Sequence, residues 1–272
     1  MTTPVTTPVT TAPLTLDVSQ TARVPFTRLV QVEMRKMFDT RAGRWLLIAV
    51  AAFTALVLVI QLWVVLAQDL TVTFNDFAGG ANIPMTILLP VLGIMSVTSE
   101  WSQRTAMVTF TLEPSRSRFL AAKFVSTLIV ATAAVVVGLV LTIIANGLYA
   151  AFSDNLVTWE LGPFRIFCYF LLHTFGMATG FAFGALFLST PVAIVVYFVY
   201  GFIISSLFEV GAALMDWFKD IRPWIDFSFA QNPIIEADVS GEQWAQLATS
   251  GAIWLLLPLA IGIWRVLRAE VK

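Results

Sequence analysis

Hydrophobic positions along the chain gather into long blocks separated by short polar stretches. That is the pattern of helices crossing a bilayer, which each need about 20 apolar residues rising ~1.5 Å apiece through ~30 Å of hydrocarbon. Trp45–Ala67 is the first block, too long for the ~7–15-residue core of a secretory signal peptide and far from the first residue. Phe77–Ser99 carries no charge but holds Pro84 and Pro90, so a kinked or partly re-entrant span is expected. Phe124–Ser153 is the third block. Ile166–Phe208 then runs without a formal charge. As one helix it would measure ~65 Å, twice the hydrocarbon thickness, so it must fold back. Ser189-Thr190-Pro191 is the turn signal near its middle, dividing it into Phe164–Leu188 and Val192–Phe208. Gln243–Trp264 completes six spans, an all-α polytopic membrane protein.

Between the blocks the pattern changes period. Residues 1–25 are Thr- and Pro-rich with few large apolar groups, and disorder is expected there. In Phe26–Asp39, residues Phe26, Leu29, Val30, Met34 and Met37 form one helical arc opposite Arg28, Gln31, Arg35 and Asp39, an amphipathic helix over about 26–40 for the headgroup plane. Glu33 falls inside the apolar arc. Either it bends to water, or it faces protein and pairs with a basic group from the next loop on that side. That loop, 99–123, reads as a short helix of mixed charge, a turn at Pro114 and a basic run into the third span. It is either a solvated connector or a surface against which a soluble partner presses. A last amphipathic stretch, Ala213–Arg222 within the 209–242 connection, sets Leu214, Trp217, Phe218 and Ile221 against Asp216, Lys219 and Asp220. It is expected to lie on the opposite membrane surface.

Composition agrees with the pattern. Of 272 residues 58% are hydrophobic and 12% charged, and the mean hydropathy is +0.84. A soluble domain is about half apolar and a quarter charged. The net charge of −1 and the lack of a basic patch interleaved with aromatics exclude nucleic acid as a partner. Charge also sets orientation: the segments up to Arg44, from Glu100 to Lys123 and after Trp264 hold 13 of the 16 Lys and Arg residues, whereas the other side keeps 11 of the 17 acids. The positive-inside rule then places both termini in the cytoplasm.

Candidate chemistry is sparse. One cysteine, Cys168, and one histidine, His173, rule out a disulfide framework and multi-histidine zinc sites. No phosphate-binding G-x-x-x-x-G-K-[ST] loop occurs, so no ATP site of that kind is built by this chain. His173 lies within the fourth span, as a structural imidazole or an intramembrane polar site. A serine–histidine pairing with Ser250 lacks an accompanying oxyanion motif. Gly176, Gly180 and Gly184, in register on the fourth span, form a small-xxx-small seam for close helix packing, either internal or between subunits.

These residues resemble the permease subunits of ABC-2 type transporters. The likeness rests on the amphipathic helix with Glu33-Met34-Arg35-Lys36, on the loop with Glu100, Thr105, Pro114, Arg116, Arg118 and Ala122-Lys123, and on six spans with a large element between the fifth and sixth. Relatives often carry glycine before the threonine, where this chain has Arg104. The resemblance implies a multi-pass protein of a bacterial plasma membrane that pairs with a second permease copy, identical or related. Each copy would rest on a separate ATP-binding subunit, with ATP and Mg held by that partner, no cofactor on this chain and no enzymatic activity of its own. It implies outward transport of an amphiphile such as a drug, antibiotic, peptide or lipid. Loop 99–123 would be the coupling element, with Arg104, Arg116 and Arg118 touching the ATPase, Glu100 and Glu113 shaping the loop, and Glu33 in an ion pair of the connecting helix. A nucleotide-independent facilitator or a membrane anchor for a cytoplasmic enzyme is the alternative.

Overall fold

A computed structural model of the chain describes residues 24–159 and 162–269; the Thr/Pro-rich stretch expected to be disordered lies, up to residue 23, outside the described residues. Among the described residues the chain is helical and contains no strand. The amphipathic helix α1 (Phe26–Asp39) turns Val30, Glu33 and Met37 inward. Thr40 ends it in an extended conformation, and its hydroxyl accepts from Gly43 N–H to start α2 (Arg41–Ala67). A capping box of Thr73 and Asp76 opens α3 (Phe74–Ser102). The loop at the basic end contains α4 (Ala106–Leu112), and α5 (Arg116–Phe152) comes after the Pro114 turn. After α6 (Pro163–Phe187) comes the fold-back, with Leu188 left-handed at φ 53° and Pro191 in the first turn of α7 (Thr190–Phe198). The fifth span continues through a π-helical stretch (Val199–Ile204) into α8 (Ser205–Leu214). Three short helices, α9 (Asp216–Ile225), α10 (Phe227–Ala230) and α11 (Asn232–Glu236), form the element at the opposite end. The last span joins α12 (Gly241–Gly251), a second π-helical stretch (Ala252–Leu256) and α13 (Leu257–Arg268).

Six of these segments are long and apolar enough to cross a membrane, and the chain is a multi-pass membrane protein. Two details differ from the sequence expectation. First, α3 passes Pro84 and Pro90 without interruption and is not re-entrant. Both prolines are buried where α2, α5 and α6 pack on α3, and that packing offsets the backbone hydrogen bonds they remove. Second, α5 starts at Arg116, and its 37 residues span ~55 Å, so its first turns stand clear of the ~30 Å hydrocarbon.

Burial separates a core from a rim. The most hydrophobic windows of α3 and α6 are each 56% buried, against 22% for α2 and 11% for the fifth span. The α3–α6 pair is therefore the spine, and α2 and the fifth span face lipid. The glycine seam is internal and explains that spine. A Cβ on Gly180 would collide with the Pro90 carbonyl, and one on Gly184 would come within 2.9 Å of the Ile94 carbonyl. Gly93 of α3 reciprocates against the Met177 carbonyl. At Gly176 the nearest atom is Pro90 Cγ at 3.5 Å, an ordinary contact, so this glycine is not required for the crossing.

At the opposite end Asp226, almost fully buried, ties the element between spans five and six together. Its carboxylate accepts from Ser205 of α8 at 3.1 Å, from the Phe229 N–H at 3.1 Å and from Arg222 at 3.2 Å. Trp217, Ile221 and Leu214 remain exposed along α9 and the end of α8. The α9 helix runs to Ile225 and includes Pro223, extending beyond the expected end at Arg222.

Candidate functional site

The helices at the basic end converge on four charged side chains. Glu33 and Lys36 come from α1, one turn apart; Glu100 comes from the last turn of α3; Lys123 comes from the second turn of α5. Lys123 Nζ donates to Glu33 Oε2 at 2.6 Å and lies 3.2 Å from Glu100 Oε1. Lys36 Nζ donates to Glu33 Oε1 at 2.8 Å and to Glu100 Oε1 at 2.9 Å. The second oxygen of Glu100 accepts from Thr105 at 2.9 Å and Thr109 at 2.7 Å, the two hydroxyls that flank the start of α4. Signs alternate around this ring, so each charge faces two opposite ones.

Three of the four are buried; only the Lys36 side chain, 40% exposed, reaches water. Burial by itself would depress the Lys36 ammonium. The carboxylates of Glu33 and then Glu100 outweigh that effect and hold it above the usual lysine value. Desolvating such a ring consumes most of its Coulomb gain, so the ring matters most energetically when one member is lost. An orphaned buried charge costs about 3–5 kcal/mol. A cavity of about 310 Å³ adjoins the ring, lined among others by Gly43, Ser96, Gln103 and Ser126.

The ring fastens α4. Phe110 wedges edge-on against Phe119 (5.4 Å between centroids) and Trp101 (6.3 Å), and Ala106 is buried. These side chains and Thr109 share one face. The other face presents Met107, Val108 and Leu112, which are 54, 61 and 77% exposed. Apolar side chains this bare on a short connector need a cover. Just before α4 the chain reverses at Arg104, whose φ of 57° is left-handed. Thr105 N–H reaches Glu100 O at 2.9 Å and Arg104 N–H reaches Trp101 O at 3.2 Å, the paired bonds of a Schellman end that glycine fits best. That is the position at which the family resemblance expects glycine.

The other expected coupling residues have internal partners. Arg116 Nη1 donates to the carbonyls of Val266, Leu267 and Ala269 at 3.0, 3.1 and 2.7 Å, closing the C-terminal end of α13, and its guanidinium lies over Phe110. Arg118 donates to Val24 O at 2.8 Å and pairs with Glu113 at 3.4 Å. Arg104 is exposed.

Within the spans His173 packs edge-on to Tyr169, 4.8 Å between centroids, and neither ring nitrogen has a partner among the described residues. The Ser250 hydroxyl donates to the carbonyls of its own helix at Gln246 and Leu247. Among the described residues no group of three His, Cys, Asp or Glu side chains could hold a metal ion.

Sequence reasoning singled out Glu33 and Glu100 but did not assemble the ring. Lys36 falls in neither of the two arcs read for α1, Lys123 reads as the end of a basic run into the third span, and Thr105 and Thr109 as residues of the connecting loop. The available signal was the double anomaly of an acid in the apolar arc of α1 and a lysine abutting the third span. Comparison with protein-family models gives no match, and comparison with curated proteins gives none either.

Proposed function

We propose that the chain is the membrane-spanning permease subunit of an ATP-driven exporter of the ABC-2 type, working as a dimer with its basic end in the cytoplasm and powered by a separate ATP-binding subunit. One observation carries this reading. Helix α4 offers a bare apolar face at the basic end and is joined through Thr105, Thr109 and Glu100 to both α1 and α5. A push on α4 therefore reaches two other helices through charged contacts with little slack. Met107, Val108, Leu112 and Arg104 form the docking face. Arg116 and Arg118 act behind it, fixing α13 and the chain before α1. The sequence carries no G-x-x-x-x-G-K-[ST] loop, which supports assigning nucleotide hydrolysis to a partner. The bulk of apolar residues along the spans suits an amphiphilic cargo exported across a bacterial plasma membrane.

The test is purification of the tagged chain from its native membrane, identification of any P-loop ATPase that accompanies it, and reconstitution of the pair into vesicles. Val108→Glu with Leu112→Glu is expected to leave membrane insertion intact and abolish co-purification and membrane-subunit-stimulated ATP turnover. Stimulation at the wild-type level in that variant refutes the docking face. The chain purifying alone and transporting without nucleotide refutes the ATP-driven reading.

A further inference from the structure

Lys36 and Lys123 are held in the ion ring and Arg116 and Arg118 in hydrogen bonds, yet the four arginine side chains of α1 and early α2 have no partner among the described residues. Arg28 and Arg35 stand on the exposed face of α1, Arg41 and Arg44 on the exposed start of α2. Asp39, also exposed at this elbow, offsets one of the four charges. Directly below, α2 and α5 part to leave a groove of about 170 Å³. Leu47, Val50 and Ala51 form one wall, Ala133 and Val137 the other, and Phe38 of α1 closes the end nearest the arginines. The lining is apolar except for Thr54, whose hydroxyl is turned to Val50 O at 2.7 Å and offers nothing to a guest.

Helix register joins the charges to the groove. Arg44, Leu47 and Ala51 share one face of α2, and Arg35 and Phe38 one face of α1. On the α2 wall the Arg44 backbone therefore lies three residues, ~4.5 Å along the axis, before the first apolar lining residue, and at the closed end Arg35 precedes Phe38 by the same spacing on α1. The groove is smaller than the ~300–1,000 Å³ of a drug-sized site and lies on the lipid-facing side of the bundle. It suits a single hydrocarbon chain. A neutral lipid would leave the guanidinium forks bare, whereas a phosphate can accept from both.

We propose that this elbow binds one anionic phospholipid of the leaflet at the basic end, its phosphate between Arg35 and Arg44, with Arg28 and Arg41 adding to the field, and one acyl chain in the α2–α5 groove. The inference rests on the membrane-spanning fold alone and holds whether or not the chain exports anything.

The protein is reconstituted into nanodiscs containing equal parts phosphatidylglycerol and phosphatidylcholine, re-extracted in mild detergent, and the retained lipid identified by mass spectrometry. Wild type is expected to retain phosphatidylglycerol selectively. Arg35→Gln with Arg44→Gln lowers that preference about 25-fold, at roughly fivefold per arginine, and leaves phosphatidylcholine retention unchanged. Ala133→Trp, at an exposed alanine outside the core, fills the groove and removes retention of both lipids; Ala51→Phe replaces it if the tryptophan variant melts early. Equal retention of the two lipids by wild type, an undiminished preference in the double glutamine variant, or unchanged retention in a folded groove-filled variant would each overturn the proposal.

Discussion

Replacing Lys123 by methionine removes one ammonium from a site where Glu33 Oε2 stands 2.6 Å and Glu100 Oε1 3.2 Å away. The side chain is 3% exposed, and methionine is close to it in size, so the loss is electrostatic rather than a cavity. Lys36 then faces two buried carboxylates alone. Leaving one of them unmatched costs about 3–5 kcal/mol, against a total stability of ~5–15 kcal/mol for a typical domain. Glu33→Gln by itself is also destabilising, because Lys123 keeps only the longer contact to Glu100. Combined, the two changes leave Lys36 and Glu100 as a balanced pair at 2.9 Å. The double variant should therefore be more stable than Lys123→Met alone, with a coupling of ~1–3 kcal/mol. Unfolding in mixed micelles of rising dodecyl sulfate content, followed by tryptophan fluorescence, reads all three variants. Additive losses, or a Lys123→Met variant within ~0.5 kcal/mol of wild type, would refute the ring as a mutually dependent unit.

Gly180→Ala should cost about 1–3 kcal/mol by driving α6 from α3, while Gly176→Ala stays within ~0.5 kcal/mol, and thermal melting in detergent separates the two. Arg104→Gly removes a left-handed L-residue from the end of α3 and should stabilise by ~1 kcal/mol in the same assay, with a lowered melting point counting against the Schellman assignment. For Lys36 the folded value lies above the ordinary 10.5. Its contribution is then fully present below that ordinary value and lost as pH rises through the raised one. The melting difference between wild type and Lys36→Met should hold steady up to pH ~10 and shrink only above it; a difference that shrinks between pH 7 and 9 would show that Lys36 is not the titrating group.

Hydropathy is a property of neighbours in the chain, and the six spans could be read from it because lipid demands an uninterrupted apolar run whatever packs beside it. The fold-back at Ser189–Pro191 was equally legible, since a single helix over Ile166–Phe208 would overshoot the bilayer. Glu33 announced itself as an acid in an apolar arc. Its distant partner was less visible: Lys123 is 90 residues away, and Glu100, the acid that shares both lysines with it, 67. Nothing local distinguishes a lysine that closes a ring from one that merely ends a span. Arg116 likewise looks like any residue of a basic loop until the end of α13 arrives beside it, 150 residues on.

The sequence by itself determined the solvent, the number of crossings and which end carries the positive charge, because each arises from summed transfer energies along a local window. Only the tertiary structure decided that the glycine seam is an internal joint with α3, that α3 threads both prolines unbroken, and that four charges meet beneath α4. Those outcomes depend on distances of a few ångströms between segments far apart in the chain, and contact energies of that range carry no imprint on the spacing of residues within any one segment.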